Sequence, residues 1–330
     1  MKAKVINKFG EPSVFETADL KKAQLKTGEV LIKVCATSVN PVDCKMRAGL
    51  FPKNTAPFPA VLHGDVAGII EEVGPNAKKF KIGDEVFGCA GGVIGCDGAL
   101  REYMWTDENL LAKKPKTLSM LEAAALPLVS ITAWEALFEK ARLKAEQAIL
   151  IHGGTGGVGH IAVQLAKSVG ARVCTTISTK EQIKLARALG ADDVVIYTEE
   201  KVEDYVSRVT HSRGFDIVFD TVGGKNLENS INALGLYGEI VTTNARITMD
   251  ITPLQKVSGS LHVVYMLIPL LHHVQRQRQG WIMQQISDMA ESGEIRPLID
   301  KRIFSLDEIS QAHEYLESGK NLGKIAVKIS

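Results

Sequence analysis

The chain has 330 residues, of which 45% are hydrophobic and 23% charged, and its formal net charge is +1. These values are ordinary for globular proteins and exclude the fibrous and disordered classes. A net charge this small gives no global field that would attract nucleic acid or anionic lipid. We therefore expect a small-molecule partner, with no nucleic acid and no membrane.

The N-terminal segment MKAKVINKFGEPSVFE has no apolar run and no small-residue cleavage signal. The most apolar later stretch, residues 261–271, is too short to span a bilayer and contains His262 and Pro269. The five cysteines are odd in number and scattered along the chain, which favours a reducing compartment over a disulfide framework. These features predict a cytoplasmic protein.

The chain has two regions with different sequence patterns. Residues 1–122 contain short strand patterns broken by Gly and Pro, such as EVLIKVCATSV and DEVFGCA, which predict a β-rich domain. Residues 123–265 then alternate apolar strands with amphipathic helices, which predicts a doubly wound parallel sheet with helices on both faces. The fold class is therefore α/β, with a β-rich domain beside a nucleotide-binding core.

The tail, residues 266–330, is predicted to contain helices and a final strand, KIAVKIS, and to return to the first domain. Residues 254–279 are expected to form a helix and a connecting loop. The length of the chain is itself consistent with two domains, because one hydrophobic core rarely serves 330 residues.

A glycine-rich loop follows the strand pattern AILIH and precedes a helical pattern. It reads Gly154-Thr155-Gly156-Gly157-Val158-Gly159 and satisfies the G-x-G-x-x-G spacing of dinucleotide-binding sites. In that motif Gly154 permits the tight turn, Gly156 lets a pyrophosphate approach the backbone, and Gly159 allows close packing of helix and strand. The helix N-terminus, expected near His160, favours phosphate groups. The alternative is a glycine-rich loop without a ligand.

The choice of nicotinamide depends on the end of the next strand. An NAD site places Asp or Glu there, about 20 residues after the loop, whereas this chain has Ser178-Thr179-Lys180. Hydroxyls and a cation suit a 2′-phosphate, so Ser178 and Lys180 favour NADP over NAD. The same segment is also typical of a helix capping box, formed by Ser178 with Glu181 or by Thr179 with Gln182. Capping and phosphate binding are compatible.

Several segments together resemble the medium-chain dehydrogenase/reductase superfamily, in its zinc-independent quinone oxidoreductase branch, which includes zeta-crystallin. They are ATSVNPVDCKMRAG, DVAGIIEEVG, IGDEVFG, EAAALPLVSITAWEAL and the glycine loop, and the resemblance that they anchor extends over essentially the whole chain. The resemblance implies a GroES-like β-rich catalytic domain, a Rossmann cofactor domain, a cleft between them, and commonly a homodimer.

Zinc-dependent alcohol dehydrogenases of that superfamily hold a catalytic metal with a Cys and a His. The alignment places Asn40 at the Cys position and Gly64 at the His position, and neither can act as a zinc ligand. His63 is a departure, since relatives of the branch usually have glycine there. Cys89 and Cys96 are too few for a structural zinc site, so we expect no metal and ordinary thiols.

The resemblance also implies which residues line the catalytic and cofactor sites. The segment with Asn40, Asp43, Lys45 and Arg47 is expected to line the catalytic cleft, with Asn40 as a donor to the acceptor oxygen. Lys45 stands where relatives often have tyrosine, so it is an alternative donor or a solvent-facing residue. Asp43 and Arg47 are alternatively an internal ion pair.

For the cofactor, Thr132 is expected near the nicotinamide, and Tyr197 beside the 2′-phosphate or simply packed. Asp220 lies at a strand end where cofactor-lining residues belong. Lys320 and Asn321 correspond to a region that closes over the cofactor in relatives.

The predicted function is NADPH-dependent transfer of a hydride to a quinone or an α,β-unsaturated carbonyl without zinc. Such acceptors are already electrophilic, so orientation and a few donors suffice, whereas alcohol oxidation without a metal loses charge stabilisation. Two alternatives stay open. One is a reductase of other activated double bonds, of the acrylate or enoyl type, and the other is a non-catalytic NADPH-binding protein.

Overall fold

The structure is a computed structural model and describes all 330 residues. Fifteen strands are present: β1 (Lys2–Ile6), β2 (Phe15–Asp19), β3 (Glu29–Val39), β4 (Asp65–Val73), β5 (Glu85–Cys89), β6 (Tyr103–Asp107), β7 (Leu111–Lys113), β8 (Ala148–Ile151), β9 (Arg172–Ile177), β10 (Asp193–Ile196), β11 (Phe215–Asp220), β12 (Leu234–Thr242), β13 (Ser260–Val263), β14 (Phe304–Ser305) and β15 (Ile325–Lys328).

Eleven α-helices connect them: α1 (Pro41–Arg47), α2 (Met120–Ala124), α3 (Pro127–Trp134), α4 (Gly157–Ser168), α5 (Ile183–Ala188), α6 (Val202–Thr210), α7 (Asn226–Asn232), α8 (Thr252–Lys256), α9 (Ile268–His272), α10 (Arg276–Glu291) and α11 (Ile309–Glu317). The longest, α10, has 16 residues. No helix combines the length and the apolar character that crossing a bilayer requires.

The chain forms two compact units. Unit 1 contains residues 1–131 and 267–330, and unit 2 contains residues 132–266. The first division lies downstream of the predicted boundary at 122 because α2 packs against strands β3 and β4 of unit 1. Ser119 caps α2 in a capping box with Glu122, which fixes where this helix begins.

Unit 1 is built on a seven-stranded sheet. Six strands run in the order β14-β15-β3-β4-β5-β7, and β6 pairs with β3. The last strand of the chain, β15, pairs antiparallel with β3 and so joins the sheet formed by β3 to β7, whereas β1 and β2 form a separate two-stranded sheet. The long strand β3 is buried along most of its length, in keeping with its apolar sequence EVLIKVCATSV.

Unit 2 is a six-stranded parallel sheet in the order β10-β9-β8-β11-β12-β13. Its strands β8, β9 and β11 are apolar and buried, as expected for a sheet covered on both faces. The strand order reverses direction between β8 and β11, the switch point at which doubly wound folds bind ligands. The α/β architecture predicted from the sequence is confirmed.

Residues 254–279 differ from the prediction of a helix and a loop. They contain the sixth strand, β13, which pairs with β12 from Glu239–Ser260 to Thr242–Val263, followed by α9 and the start of α10. The strand has only four residues, SLHV, which gives too short an alternation to identify a strand by periodicity.

Candidate functional site

The glycine loop makes the predicted turn between β8 and α4, but the roles of its individual glycines differ from the prediction. Gly153, not Gly154, has the positive φ of +71° that makes the turn. Gly154 is required for a different reason, because a Cβ there would lie 2.0 Å from Thr175 Oγ1. Helix α4 begins at Gly157, earlier than the predicted start near His160, with Gly156 as its N-cap.

The remaining loop residues agree with close packing against the strand. A Cβ on Gly159 would lie 2.0 Å from the carbonyl oxygen of Gly153, whereas a Cβ on Gly156 would lie 3.1 Å from the same atom. Thr155 is buried, and Val158 is half-buried at the start of the helix. Gly156 leaves the N-terminus of α4 without a side chain, which fits the close approach that a pyrophosphate needs.

A cavity of about 510 Å³ lies beside this loop at the carboxyl ends of the parallel strands. It is lined by His152 and Gly153 after β8, Thr176 of β9, Tyr197 after β10 and Val222 after β11. Glu200 and Lys201 line it from the segment before α6, and Asn226, Asn229 and Asn232 line it from α7. Tyr197 and Val222 expose 59% and 55% of their surface, so both present apolar area to a ligand. This is the position at which open α/β sheets bind ligands.

The edge expected to hold a 2′-phosphate presents several donors. Gln182 Oε1 accepts hydrogen bonds from Ser178 N at 2.9 Å, Ser178 Oγ at 3.0 Å and Thr179 N at 3.3 Å. Lys180 is exposed, and its ammonium lies 3.4 Å from Glu199 Oε1. The capping box of Thr179 and Gln182 is therefore present, and the donors that it uses are also those that suit a phosphate oxygen.

Asp220 is fully buried at the end of β11, where it organises the following loop. Its Oδ1 accepts from Val222 N at 3.0 Å, Gly223 N at 2.8 Å and Asn226 Nδ2 at 3.0 Å. Its Oδ2 accepts from Ser230 Oγ at 2.9 Å. With all these partners inside the protein, Asp220 shapes the cavity wall, and direct contact with a cofactor stays a prediction.

The other predicted cofactor residues fall in both units. Thr132 is buried on α3 at the start of unit 2. Lys320 and Asn321 belong to unit 1, in the turn between α11 and β15, where Asn321 Nδ2 donates to the carbonyl oxygen of Gly323 at 2.9 Å. Their roles toward a cofactor stay predictions.

In unit 1, Asn40 precedes α1 and belongs to a buried polar group that we call the Asp65 cluster, formed by Ser38, Asn40, Asp65 and Lys324. Asp65 Oδ2 accepts from Ser38 Oγ at 2.6 Å and from Asn40 Nδ2 at 2.8 Å, and lies 3.5 Å from the ammonium of Lys324. Lys324 Nζ donates to Asn40 Oδ1 and to the carbonyl oxygen of Val39. Burial lowers the pKa of Lys324.

The sequence predicts that Asn40 donates to an acceptor oxygen, whereas the structure encloses its side chain. It has no exposed surface, and both ends of its amide are engaged within the Asp65 cluster. Asp43 caps the same helix end, since its Oδ2 accepts from Asn40 N at 2.8 Å. Burial raises the pKa of Asp43 to about 7. A donor role for Asn40 toward a substrate stays a prediction and would use the second N–H of its amide.

The alternative of an ion pair between Asp43 and Arg47 is wrong. Arg47 is buried and pairs instead with Glu317 of α11, through Nη2 and Oε1. Its Nε and Nη1 have no partner. Lys45 lies on the same helix, is half-buried, and has no hydrogen-bond or ion-pair partner for its ammonium. Asn40, Asp43 and Arg47 are buried, so Lys45 is the one of the four predicted catalytic residues whose free donor is also partly exposed.

His63, the departure noted in the sequence, lies in a buried chain of hydrogen bonds. Its Nε2 is 2.9 Å from Nε2 of His313, whose Nδ1 is 3.3 Å from Cys44 Sγ. Its Nδ1 is 3.3 Å from Thr37 Oγ1. The single proton of Thr37 goes to the carbonyl oxygen of Asp65 at 2.6 Å, so His63 Nδ1 must donate to Thr37.

The direction of every bond in this chain follows. His63 Nε2 carries no proton and accepts from His313 Nε2, and His313 Nδ1 accepts from the Cys44 thiol. Both imidazoles are neutral, because burial lowers the pKa of His63 to about 3 and that of His313 well below its usual value. These bonds connect α1 to α11 and, through His63 and Thr37, to β3, and His63 itself has a left-handed backbone with φ of 72°.

The residues at the expected zinc positions do not fit a zinc ion. Asn40 is committed to the Asp65 cluster, Gly64 has no side chain, and the nitrogen atoms of His63 and His313 face each other across one shared proton. No group of three or more His, Cys, Asp or Glu side chains is arranged to hold a metal ion. The five cysteines are free thiols, three of them buried.

Sequence reasoning found the loop and α1 but missed the residues that hold them. Lys324 and His313 carry no motif and meet their partners only through the tertiary fold. Asn226 and Asn229 carry no motif either, although they meet each other one helical turn apart on α7. The one sequence signal for this group was His63, because an imidazole that replaces a glycine in an apolar segment needs hydrogen-bond partners such as His313.

Family models match two segments of the chain: the alcohol dehydrogenase GroES-like domain over residues 26–116, and a zinc-binding dehydrogenase domain over residues 189–327. The chain is 36% identical to a 2-methylene-furan-3-one reductase of Solanum lycopersicum, with 99% of this chain and 79% of that protein covered. It is 34% identical to an NADPH-dependent alkenal/one oxidoreductase of Arabidopsis thaliana, described as chloroplastic, with the same coverage.

A quinone oxidoreductase of Rattus norvegicus is 31% identical, with 98% of this chain and 97% of that protein covered. Among solved structures, the quinone oxidoreductase of Escherichia coli complexed with NADPH superposes with a TM-score of 0.89 at 26% identity, covering 99% of this chain and 100% of that one.

The first prediction concerns the packing of the glycine loop. Gly159→Ala places a Cβ 2.0 Å from the carbonyl oxygen of Gly153, which forces the loop or helix to move. We expect a loss of about 1–3 kcal/mol in the free energy of unfolding, measured by urea denaturation. Gly156→Ala is the matched control, and equal stability of the two variants would contradict the account.

The second prediction concerns pH. A buried histidine whose folded pKa is below 6.5 binds fewer protons than the unfolded chain, so its stabilisation is complete above that pH and falls as the pH decreases toward about 3. We expect His63→Asn, in which Asn tolerates the left-handed backbone, to weaken the decrease in unfolding free energy between pH 7 and pH 5.

The control for this pH series is His211→Asn. His211 is exposed and also has a left-handed backbone, with φ of 51°, so its replacement should leave the slope unchanged. If His63→Asn and the parent protein lost stability in parallel on acidification, the neutral histidine pair would not be the origin of the effect.

Proposed function

Because the chain belongs to the quinone oxidoreductase branch of the medium-chain dehydrogenase/reductase superfamily, we propose that it catalyses NADPH-dependent reduction of a quinone or an α,β-unsaturated carbonyl without zinc. The observation that carries the proposal is the glycine loop, whose preceding turn at Gly153 lines the cavity at the carboxyl ends of β8 to β11. The relatives named above as quinone and alkenal/one oxidoreductases support the substrate class.

The residues of unit 2 fit NADPH. The backbone from Gly154 to Gly159 and the N-terminus of α4 would hold the pyrophosphate. Ser178 and Lys180 would hold the 2′-phosphate, with Tyr197 beside them and Thr132 toward the nicotinamide. Binding of the phosphate requires Gln182 to release the Ser178 donors and Lys180 to leave Glu199, so part of the binding energy is spent on this exchange.

Bound NADPH supplies a hydride from its reduced nicotinamide ring. The protein then has two tasks, namely to orient the acceptor and to deliver a proton where negative charge develops. We assign the proton to Lys45, whose ammonium has no partner within the protein. Asn40 and Asp43 fix the N-terminal end of α1, and Arg47 fixes its other end to α11.

Reduction suits a site whose residues do not hold zinc. A quinone or an enone is electrophilic without a Lewis acid, whereas oxidation of a simple alcohol depends on stabilising an alkoxide. Asn40 and Gly64 stand at the two ligand positions, and neither replaces a thiolate or an imidazole. One matching family model has a zinc-binding name, but it matches residues 189–327 and so does not include Asn40 or Gly64.

We also propose that the protein is a homodimer. Strand β13 is an edge of the parallel sheet of unit 2, so one side of its backbone has no partner strand. Val263 at its end and the nearby Tyr265 are exposed apolar residues. A second copy that pairs along this edge would satisfy the free backbone groups.

Sedimentation tests the dimer. We expect a mass of about twice 35.8 kDa for the purified protein, and a shift toward monomer for Val263→Lys, because a charge on an edge strand opposes pairing. Leu236→Lys introduces the same charge at another exposed apolar residue of unit 2 and should leave the mass unchanged. A monomeric parent protein would contradict the proposal.

A steady-state assay of NADPH consumption tests the proposed function. Purified protein treated with a chelator is mixed with benzoquinone or methyl vinyl ketone, and with NADPH or NADH as donor. We expect turnover of at least one acceptor with NADPH, and a preference for NADPH over NADH. Lys180→Ala should lower that preference by about tenfold, because it removes a charge-assisted contact to the 2′-phosphate.

Lys184→Ala is the matched control, since Lys184 is an exposed lysine on the neighbouring helix α5. Failure to reduce any quinone or enone, despite NADPH binding, would reject the catalytic proposal. If the parent protein used NADH as well as NADPH, or if Lys180→Ala kept the parent's preference for NADPH, the assigned nucleotide site would be rejected.

A further inference from the structure

Two side-chain amides at the cavity of unit 2 are linked by hydrogen bonds whose donor and acceptor atoms are set by the carboxylate of Asp220. Asp220 is fully buried, and its carboxylate accepts from Asn226 Nδ2 at 3.0 Å. Asn229 Nδ2 in turn donates to Asn226 Oδ1 at 3.2 Å. Both asparagines lie on α7, three residues apart, and therefore on one face of the helix.

The oxygen and nitrogen atoms of these amides are assigned by chemistry. A carboxylate only accepts hydrogen bonds, and Asp220 is held as an acceptor by the backbone N–H groups of Val222 and Gly223. Asn226 must therefore present its nitrogen to Asp220 and its oxygen to Asn229. Asn229 must use its nitrogen for that contact, which leaves its Oδ1 as the terminal acceptor of the chain.

Asn229 is exposed and lines the cavity. Its Oδ1 has no partner within the protein, and one N–H of its amide is also uncommitted. An amide that offers one acceptor and one donor matches the N6 amine and N7 of adenine. The exposed faces of Tyr197 and Val222 line the same cavity and offer surfaces on which a flat base can stack.

We propose that Asn229 is a specificity-determining residue that reads the 6-amino group of the purine base in the dinucleotide. Asp220 and Asn226 are positioning residues, because they fix which atom of Asn229 points toward the ligand. This inference rests on the proposed NADPH-binding function, and it adds a preference for adenine over a base with oxygen at position 6.

The test compares NADPH with its hypoxanthine analogue, reduced nicotinamide hypoxanthine dinucleotide phosphate. The two differ at the base alone, where O6 of hypoxanthine replaces the amine and would face Asn229 Oδ1, acceptor against acceptor. Binding is measured by the fluorescence of the reduced nicotinamide, without any acceptor substrate. We expect the parent protein to bind NADPH about tenfold more tightly than the analogue.

Two variants locate the effect. Asn229→Leu has a similar volume and no acceptor, so the ratio of the two affinities should fall close to one. Asn232→Leu is the matched control, since Asn232 lines the same cavity on the same helix but lies outside the amide chain, and it should keep the parent ratio.

A structural defect alone would weaken both dinucleotides equally and leave the ratio unchanged, so the ratio separates recognition from folding. If the parent protein bound NADPH and the analogue equally well, or if Asn232→Leu alone abolished the preference, the assignment to Asn229 would be overturned while the proposed function stood. If the parent protein bound neither dinucleotide, the proposed function would fail together with the inference.

Discussion

The buried contact between Asp65 and Lys324 is the constraint on which the catalytic half of the structure depends. Asp65 lies at the start of β4 and accepts hydrogen bonds from Ser38, from Asn40 and from the backbone N–H of Leu128 in α3. Lys324 directly precedes β15. Burial of two charges is favourable only when their remaining bonds are satisfied, and removal of one partner from such a pair typically costs about 3–5 kcal/mol. The end of β3, helix α1 and the last strand are therefore held by one polar group, and α1 presents Lys45 from that rigid support.

The cofactor half depends on a different constraint, the absence of side chains at the turn after β8. The carbonyl oxygen of Gly153 lies where a Cβ of Gly159 would have to fit, so strand and helix approach more closely than any other residue would permit. The turn thus carries no side chains at the position where the proposed phosphate contacts lie. Asp220 and the amides of α7 shape another wall of the cavity beside it. The proposed binding and discrimination of the nucleotide therefore both fall to unit 2.

Much of this could be predicted from the sequence, because the relevant signals are local. Strand and helix periodicity predicted the fold class, and the glycine spacing predicted the loop. What the sequence could not predict depends on contacts between distant residues. Gly153 rather than Gly154 makes the turn, Arg47 pairs with Glu317 rather than Asp43, and Asn40 is enclosed by Lys324 and Asp65. Strand β13 was missed because four residues are too few for a periodic pattern.

The central claim is that this chain transfers a hydride directly from bound NADPH to a conjugated acceptor. Its most direct test is a single turnover with NADPH carrying deuterium on one face of the nicotinamide C4, using an enone as acceptor and mass spectrometry of the product. The account predicts one deuterium per reduced molecule from one face and none from the other. Reduced product without deuterium from either face, or unreacted acceptor beside bound NADPH, would contradict it.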